Sequence, residues 1–261
     1  MNLSSFCIKK LDQIPQKLLE LKKPPEALFY TGDIGLLDSQ VNVAIIGTRK
    51  PNPYTKALTS TLAKELSKCG ANIISGGALG VDIIAHQNSL PKTIMIAPSS
   101  LDYIYPSANA HIIKEIAQKS LIISEYEKNF LPKKYSFLQR NRLVIGLSDI
   151  VIIPQADLNS GSMQSAKMAL DCNKPLYVLP HRINESLGTN SLLQKNLAKA
   201  IYDIYDFIAS LKLATPQYDA ILDFCSKNND FEEAYLKFGD QLLEYELDGK
   251  IKRENNKVII L

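Results

Sequence analysis

The sequence predicts an α/β fold, with an open, mostly parallel sheet covered by helices on both faces and a small α+β module after it. Three observations carry this. Short β-branched runs, such as residues 41–46 and 149–153, alternate with helical patterns of roughly ten or more residues, the mark of parallel strands joined by crossover helices. Glycine-rich or polar stretches follow several of these runs. The charge balance then changes near the end: residues 217–261 hold ten acidic and six basic side chains, a net −4 within a chain total of +3, which leaves +7 to the rest.

Taken in order, residues 1–40 read as a short α-rich lead-in. Leu11, Ile14, Leu18, Leu19 and Leu21 form one helical face, Pro24 and Pro25 stop it, and 27–30 suit a short strand. The main body spans 41–211. Its first strand ends at Gly47, and Asn52 with Pro53 supplies an N-cap and a first helical residue. Leu58, Leu62, Leu66 and Cys69 share one face of that helix, and Gly70 stops it. Strands follow at 71–74, 92–97, 121–123, 149–153 and 175–179, with a short one near 200–204. Helices are expected at 81–88, near 109–119, from Ser136 to about 147, from about 162 to 171, at 191–198 and at 205–211. Residues 212–216, with Pro216, read as a linker. In 217–261, three helices (218–226, 231–238, 240–247), a stop at Gly249 and a hairpin over 251–260 make a winged-helix-like α+β module.

With 46% apolar and 22% charged residues over 261 positions, the chain has the composition of an ordinary globular protein. Cys7, Cys69, Cys172 and Cys225 are scattered without metal-ligand spacing, so reduced core thiols are expected rather than a disulfide framework or zinc site. No segment approaches the roughly 20 apolar residues of a membrane span, and no leader-like apolar run opens the chain. A cytoplasmic protein is expected, with no membrane partner.

In an open parallel sheet, ligands bind outside the carboxyl ends of the strands. Four unusual stretches fall there: Gly47, Thr48, Arg49 and Lys50; Ser75, Gly76, Gly77, Ala78 and Gly80; the segment 124–142; and Ser160, Gly161 and Ser162. Several open a helix, where free N–H groups favour an anion. Between Lys128 and Arg142 lie five basic residues (Lys128, Lys133, Lys134, Arg140, Arg142), no acid, and the aromatics Phe130, Tyr135 and Phe137. Positive charge suits a phosphate backbone and aromatic faces suit unstacked bases. Plainer readings stand beside each stretch. Gly47 suits a tight turn, and Gly76, Gly77 and Gly80 suit close helix–strand packing equally well. Arg140 and Arg142 suit ion pairs with Glu125 or Glu127, and Tyr103 and Tyr105 suit packing at a turn. Asp82 and His86, spaced i,i+4, fit capping and packing better than a metal pair lacking a third ligand. No GxSxG, Walker loop or HExxH motif occurs, and no histidine has a nucleophile partner.

As an ordered set these motifs resemble the DprA/Smf family of DNA-processing proteins of natural transformation. The residues that carry the resemblance are 45–49, 75–86, 101–106, 124–125, 137–148 and 160–163, within a match from about 24 to 197. The resemblance implies an extended Rossmann-like, doubly wound domain that binds and protects single-stranded DNA. It implies a homodimer that passes incoming strands to the recombinase RecA, with no catalysis and no cofactor. Arg49 and Lys134 would hold phosphates and Phe137 would meet a base. Lys133 and the loops around Gly47, Gly76 and Ser160 would complete the site, and Arg140, Asn141 and Arg142 would be partly structural.

The chain departs from the family pattern at Pro180-His181-Arg182, where Pro-Gly is usual, and at Lys195-Asn196-Leu197. Residues 217–249 carry nine acids against Lys227 and Lys237, which suits a protein partner or a regulatory role. Local nucleic-acid contact there would fall to Lys250, Lys252, Arg253 and Lys257. The alternative is a Rossmann-type nucleotide or phosphoribosyl hydrolase, but the corresponding loop, 154–162, lacks the paired glycines and the acid of that group. A double-stranded DNA binder working through the tail is a third reading, and the acidity of the tail helices opposes it.

Overall fold

The structure, a computed structural model, describes residues 6–38, 41–213 and 220–261. It divides into two compact units, Met1–Ala214 and Thr215–Leu261. Most of the expected linker, 214–216, and the first residues of the expected tail helix lie outside the described residues.

The first unit runs β1 (Lys9–Lys10), α1 (Gln16–Leu19), β2 (Phe29–Gly32), β3 (Asn42–Ile45), α2 (Pro53–Lys68), β4 (Asn72–Ser75), α3 (Val81–Ser89), β5 (Thr93–Ile96) and α4 (Ala110–Lys119). It continues with β6 (Leu121–Ser124), α5 (Lys134–Leu147), β7 (Ile150–Ile153), α6 (Gly161–Asp171), β8 (Leu176–Val178), α7 (Leu187–Gln194), β9 (Lys199–Ala200) and α8 (Ile204–Ser210). One nine-stranded sheet has the order β1-β2-β6-β5-β4-β3-β7-β8-β9. Every pair from β6 to β9 is parallel, while β2 runs antiparallel to β6 and β1 to β2. From β3 the chain winds outward through β4, β5 and β6, then returns to place β7 on the other side of β3. The strand order therefore reverses between β3 and β7, and a crevice opens outside their carboxyl ends.

Side-chain alternation along the strands explains the two covered faces. Val43 and Ile45 pack with Leu62 and Leu66 of α2 and with Phe207 and Ile208 of α8. Ala44 and Ile46 point the other way, among Leu143 and Val144 of α5 and Ala166 of α6. A third cluster joins Met95 and Ile122 to Ile113 and Ile116 of α4. Local signals set the helix starts. Asn52 accepts the Thr55 N–H at 2.8 Å, with Pro53 first in α2. Ser160 accepts the Met163 N–H at 3.2 Å, and Asp203 accepts from Tyr205 and Asp206 at the head of α8.

Four expectations are corrected. The lead-in is not α-rich: α1 is a single turn, and an unexpected β1 joins the strand expected over 27–30, here β2, in extending the sheet. Leu18 and Leu21 pack against Gly146 of α5, where a Cβ would stand 2.9 Å from Leu18. α5 begins at Lys134 rather than Ser136, because Ser136 caps from inside the first turn. Its Oγ accepts the Lys133 N–H at 3.0 Å and donates to the Lys133 carbonyl. α7 covers Leu187–Gln194 rather than 191–198. Its start is fixed by Ser186, whose Oγ accepts the Ala156 N–H, and by Gly188, whose N–H donates to the Ala156 carbonyl. Two of the four thiols are also not core groups, since Cys7 and Cys172 are exposed while Cys69 and Cys225 are buried.

The second unit contains α9 (Ala220–Lys227), α10 (Phe231–Phe238), α11 (Asp240–Leu247) and the antiparallel pair β10 (Ile251–Glu254) and β11 (Lys257–Ile260). Its core joins Ile221, Cys225, Phe231, Ala234, Leu242, Ile251 and Val258. Asn255 and Asn256 both take positive φ, as a two-residue hairpin turn with the twist of its strands requires. Among the described residues no helix is long and apolar enough to cross a membrane.

Candidate nucleic-acid interface

The crevice between β3 and β7 is built by loops that bond to one another rather than to solvent. After β3, the Thr48 N–H donates to the Gln155 carbonyl beyond β7 at 2.9 Å. The Thr48 carbonyl accepts the Val81 N–H at the head of α3 at 3.2 Å. Gly47 fits because a Cβ would come within 2.8 Å of Val81 and 3.1 Å of the Gln155 carbonyl. Gly80 has φ +84°, and a Cβ there would collide with the Thr48 carbonyl and the Arg49 backbone. Only glycine allows both that conformation and that approach. The Arg49 backbone is thus clamped while its side chain stays exposed.

Asp82 locks the two glycine loops together. It is 5% exposed and lies among the backbone N–H groups of Ala78, Gly47 and Gly76, with the Arg140 guanidinium nearby. Burial pushes its carboxyl above the ordinary range, and Arg140 with the three N–H donors pulls it back. His86 is fully buried, its Nδ1 2.7 Å from the Thr93 hydroxyl. Burial, then the nearby Arg140 charge, lowers its pKa to about 3, so it is neutral. Both residues serve the scaffold.

Arg140 is a correction to the expected contact set. It is 4% exposed, and its Nη1 donates to the Ile96 carbonyl at 2.8 Å. The guanidinium lies in the space left by Gly76, where a Cβ would overlap it. Burial lowers its pKa, and Asp82 opposes that. Arg142 is also placed elsewhere. It pairs with Glu125 through two hydrogen bonds of 2.6 and 3.1 Å, and it lines a separate cavity with Lys17, Leu21 and Met168. Ser75 is buried, its hydroxyl donating to the Ile45 carbonyl at 2.6 Å. Gly77 is buried beneath Met95. These four belong to the frame around the crevice.

Most of the remaining candidates converge. Gly47, Thr48, Arg49, Ala78, Phe137, Asn141, Ser160, Gly161 and Ser162 line one cleft of about 270 Å³, with Arg140 and Asp82 at its base. Asn141 bridges α5 to α6 by donating to the Ser165 hydroxyl at 2.9 Å. Ser160 to Ser162 bring the N-terminus of α6 to the cleft, where its free N–H groups favour negative charge. The Phe137 ring is half-buried, with the Arg49 guanidinium 5.6 Å from its centroid. Lys133 and Lys134 are exposed at the head of α5, and Lys134 precedes Phe137 by three positions on the same helical face. Lys50 is exposed beside Arg49.

Tyr105, expected to pack at a turn, also reaches Phe137 at the cleft. Its ring meets Phe137 at 5.5 Å and 57° and stays 38% exposed. With Arg49, Leu79 and Pro98 it lines a smaller recess of about 40 Å³ next to the cleft. Spacing offered no signal for it, because the contact joins the loop before α4 to the first turns of α5. Of the other segment aromatics, Phe130 stacks on Tyr126 at 4.0 Å.

The profile of the DNA recombination-mediator protein A family matches residues 5–212. DNA processing protein DprA of Bacillus subtilis is 33% identical over 211 residues, covering 79% of this chain and 71% of that protein. Protein Smf of Synechocystis is 35% identical over 205 residues, 76% of this chain, but the match spans only 51% of that relative's length. Among solved structures, DNA processing protein A from Helicobacter pylori, described for its single-stranded DNA binding mode, is 60% identical with a TM-score of 0.79, covering 81% of this chain and 98% of that one. DprA from Streptococcus pneumoniae is 29% identical with a TM-score of 0.72, covering 82% and 76%.

Proposed function

The chain belongs to the DNA recombination-mediator protein A family, and on that premise we propose that its Rossmann-like unit binds single-stranded DNA in the Arg49–Phe137 cleft. The observation that carries this reading is the convergence of the exposed Arg49 guanidinium, an aromatic ring and a helix N-terminus on one crevice. Arg49, Lys50, Lys133 and Lys134 supply charge for phosphates. Phe137, backed by Tyr105, offers a face to an unstacked base, which a duplex does not present. Asp82, the acid at the cleft base, is buried among the Gly47, Gly76 and Ala78 backbones near Arg140, so it serves as scaffold rather than as a general base, which favours binding over catalysis.

In this reading the protein acts as a cytoplasmic homodimer. It protects incoming single strands during natural transformation and passes them to RecA. The acidic second unit is a module for a protein partner, since its helices repel a phosphate backbone in bulk. The test is a titration of labelled single- and double-stranded oligonucleotides at several salt concentrations. Preference for the single strand, with affinity falling steeply as salt rises, is expected. Equal affinity for both forms, or none for either, overturns the reading.

A further inference from the structure

We propose that the cavity between the head of α2 and the segment after β8 is a second base-stacking subsite, taking the strand where it leaves the Arg49–Phe137 cleft. The inference rests on the single-strand reading above and adds Tyr54, His181 and Arg182 to it. The cavity holds about 540 Å³.

Tyr54 forms one wall. It is 44% exposed yet held at two points. Its hydroxyl donates to the Pro180 carbonyl at 3.2 Å, and its ring meets His181 edge-on, with centroids 5.5 Å apart and planes at 80°. A ring fixed in this way and still open to solvent is a stacking platform that loses little freedom when a base arrives. His181 is oriented as firmly. Nε2 lies 2.8 Å from the Pro154 carbonyl, and a carbonyl only accepts, so Nε2 carries the proton. Nδ1 is then an acceptor, buried and without a partner among the described residues. Arg182 is exposed and has no ion pair among the described residues. Glu185 lines the same cavity, so the interior suits a base bearing an amino donor better than a bare phosphate. Arg182 supplies charge for the backbone beside it.

The cavity and the cleft share a support. Gln155 accepts the Thr48 N–H through its carbonyl and the Asn52 N–H through its side chain. The preceding residue, Pro154, accepts from His181. One strand-end segment thus holds both sites, and exposed Lys50 lies in the chain between Arg49 and Asn52.

The test measures binding of labelled oligodeoxycytidylates, whose bases carry an amino donor, graded from about 4 to about 20 nucleotides. For the parent protein, affinity rises with length. Tyr54→Ala is expected to leave the shortest oligomers unchanged and to weaken the longest about tenfold. Arg182→Ala should lower the salt slope by about one for long oligomers only. Tyr54→Phe, which keeps the ring and loses the hydroxyl, should restore the gain with length. If Tyr54→Ala and Arg182→Ala follow the parent at every length, the subsite is wrong and the cleft reading stands. If Tyr54→Phe loses as much as Tyr54→Ala, the ring is not the contact and the subsite is again wrong. A parent that binds no oligomer of any length overturns both.

Discussion

Arg49 and Arg140 lie within one cleft and have opposite expected roles, which makes their substitution by alanine a sharp test. Arg140→Ala removes a guanidinium that donates to the Ile96 carbonyl and stands beside the buried Asp82 carboxylate. Leaving the buried Ile96 carbonyl without its charged donor costs about 1–3 kcal/mol. The packed guanidinium is lost as well, so the high end, about 3 kcal/mol, is expected. For a unit of this size that corresponds to a fall in Tm of roughly 6–12 °C. Arg49→Ala removes an exposed cation, should leave Tm nearly unchanged, and should weaken single-strand binding while lowering the salt slope by about one. The assays are urea and thermal unfolding of both variants beside a salt-series titration. A pH dependence sharpens the case. The folded-state pKa of Asp82 is already raised by burial, and losing Arg140 raises it further. A raised carboxyl favours the folded state once protonated, so the Arg140→Ala deficit should shrink as pH falls through that folded pKa. If Arg140→Ala unfolds like the parent and loses binding as Arg49→Ala does, the burial argument is wrong and Arg140 is a contact residue.

Other outcomes follow from the same geometry. Phe137→Ala should cost about 1–3 kcal/mol of single-strand binding with little change in salt slope, since the lost contact is stacking rather than charge; an unchanged affinity in the titration would remove the ring from the site. Because the His86 pKa falls from 6.5 to about 3 in the folded state, the unfolded chain binds the extra proton between those values. Stability should therefore drop by on the order of 4 kcal/mol as pH falls through that window, with the raised pKa of Asp82 offsetting part of the loss. His86→Gln should flatten the profile, and parallel curves for parent and variant from about pH 7 to about pH 4 would refute the assignment. Deleting residues 217–261 should leave single-strand binding largely intact, as read by the same titration; its loss would overturn the division of labour between the units.

Much of the fold was legible in the sequence because its signals are local. Short β-branched runs in 41–46 and 149–153 marked buried strands, and Asn52 with Pro53 marked the start of α2, since a cap involves only neighbouring residues. In the lead-in the strand over 27–30 was legible, but β1 was not, because Lys9 and Lys10 form a strand only by pairing with Tyr30 and Phe29 about twenty positions on. The start of α7 was missed for a similar reason, as Ser186 and Gly188 take their places from Ala156.

Sequence alone determined the order of the strands along the chain, the positions of the glycine loops at their ends, and the supply of cations and aromatics between Lys128 and Arg142. Periodicity, capping and composition act within a few residues, so these features needed no tertiary information. What each cation does was decided only in three dimensions. Arg49, Arg140 and Arg142 read alike in one dimension. The fold exposes Arg49 by clamping its backbone against Gly80, pairs Arg142 with Glu125, and buries Arg140 in the space left by Gly76. There it reaches a carbonyl 44 positions away. Burial and partner choice depend on which distant groups share the space around a side chain, and that is a property of the packed fold.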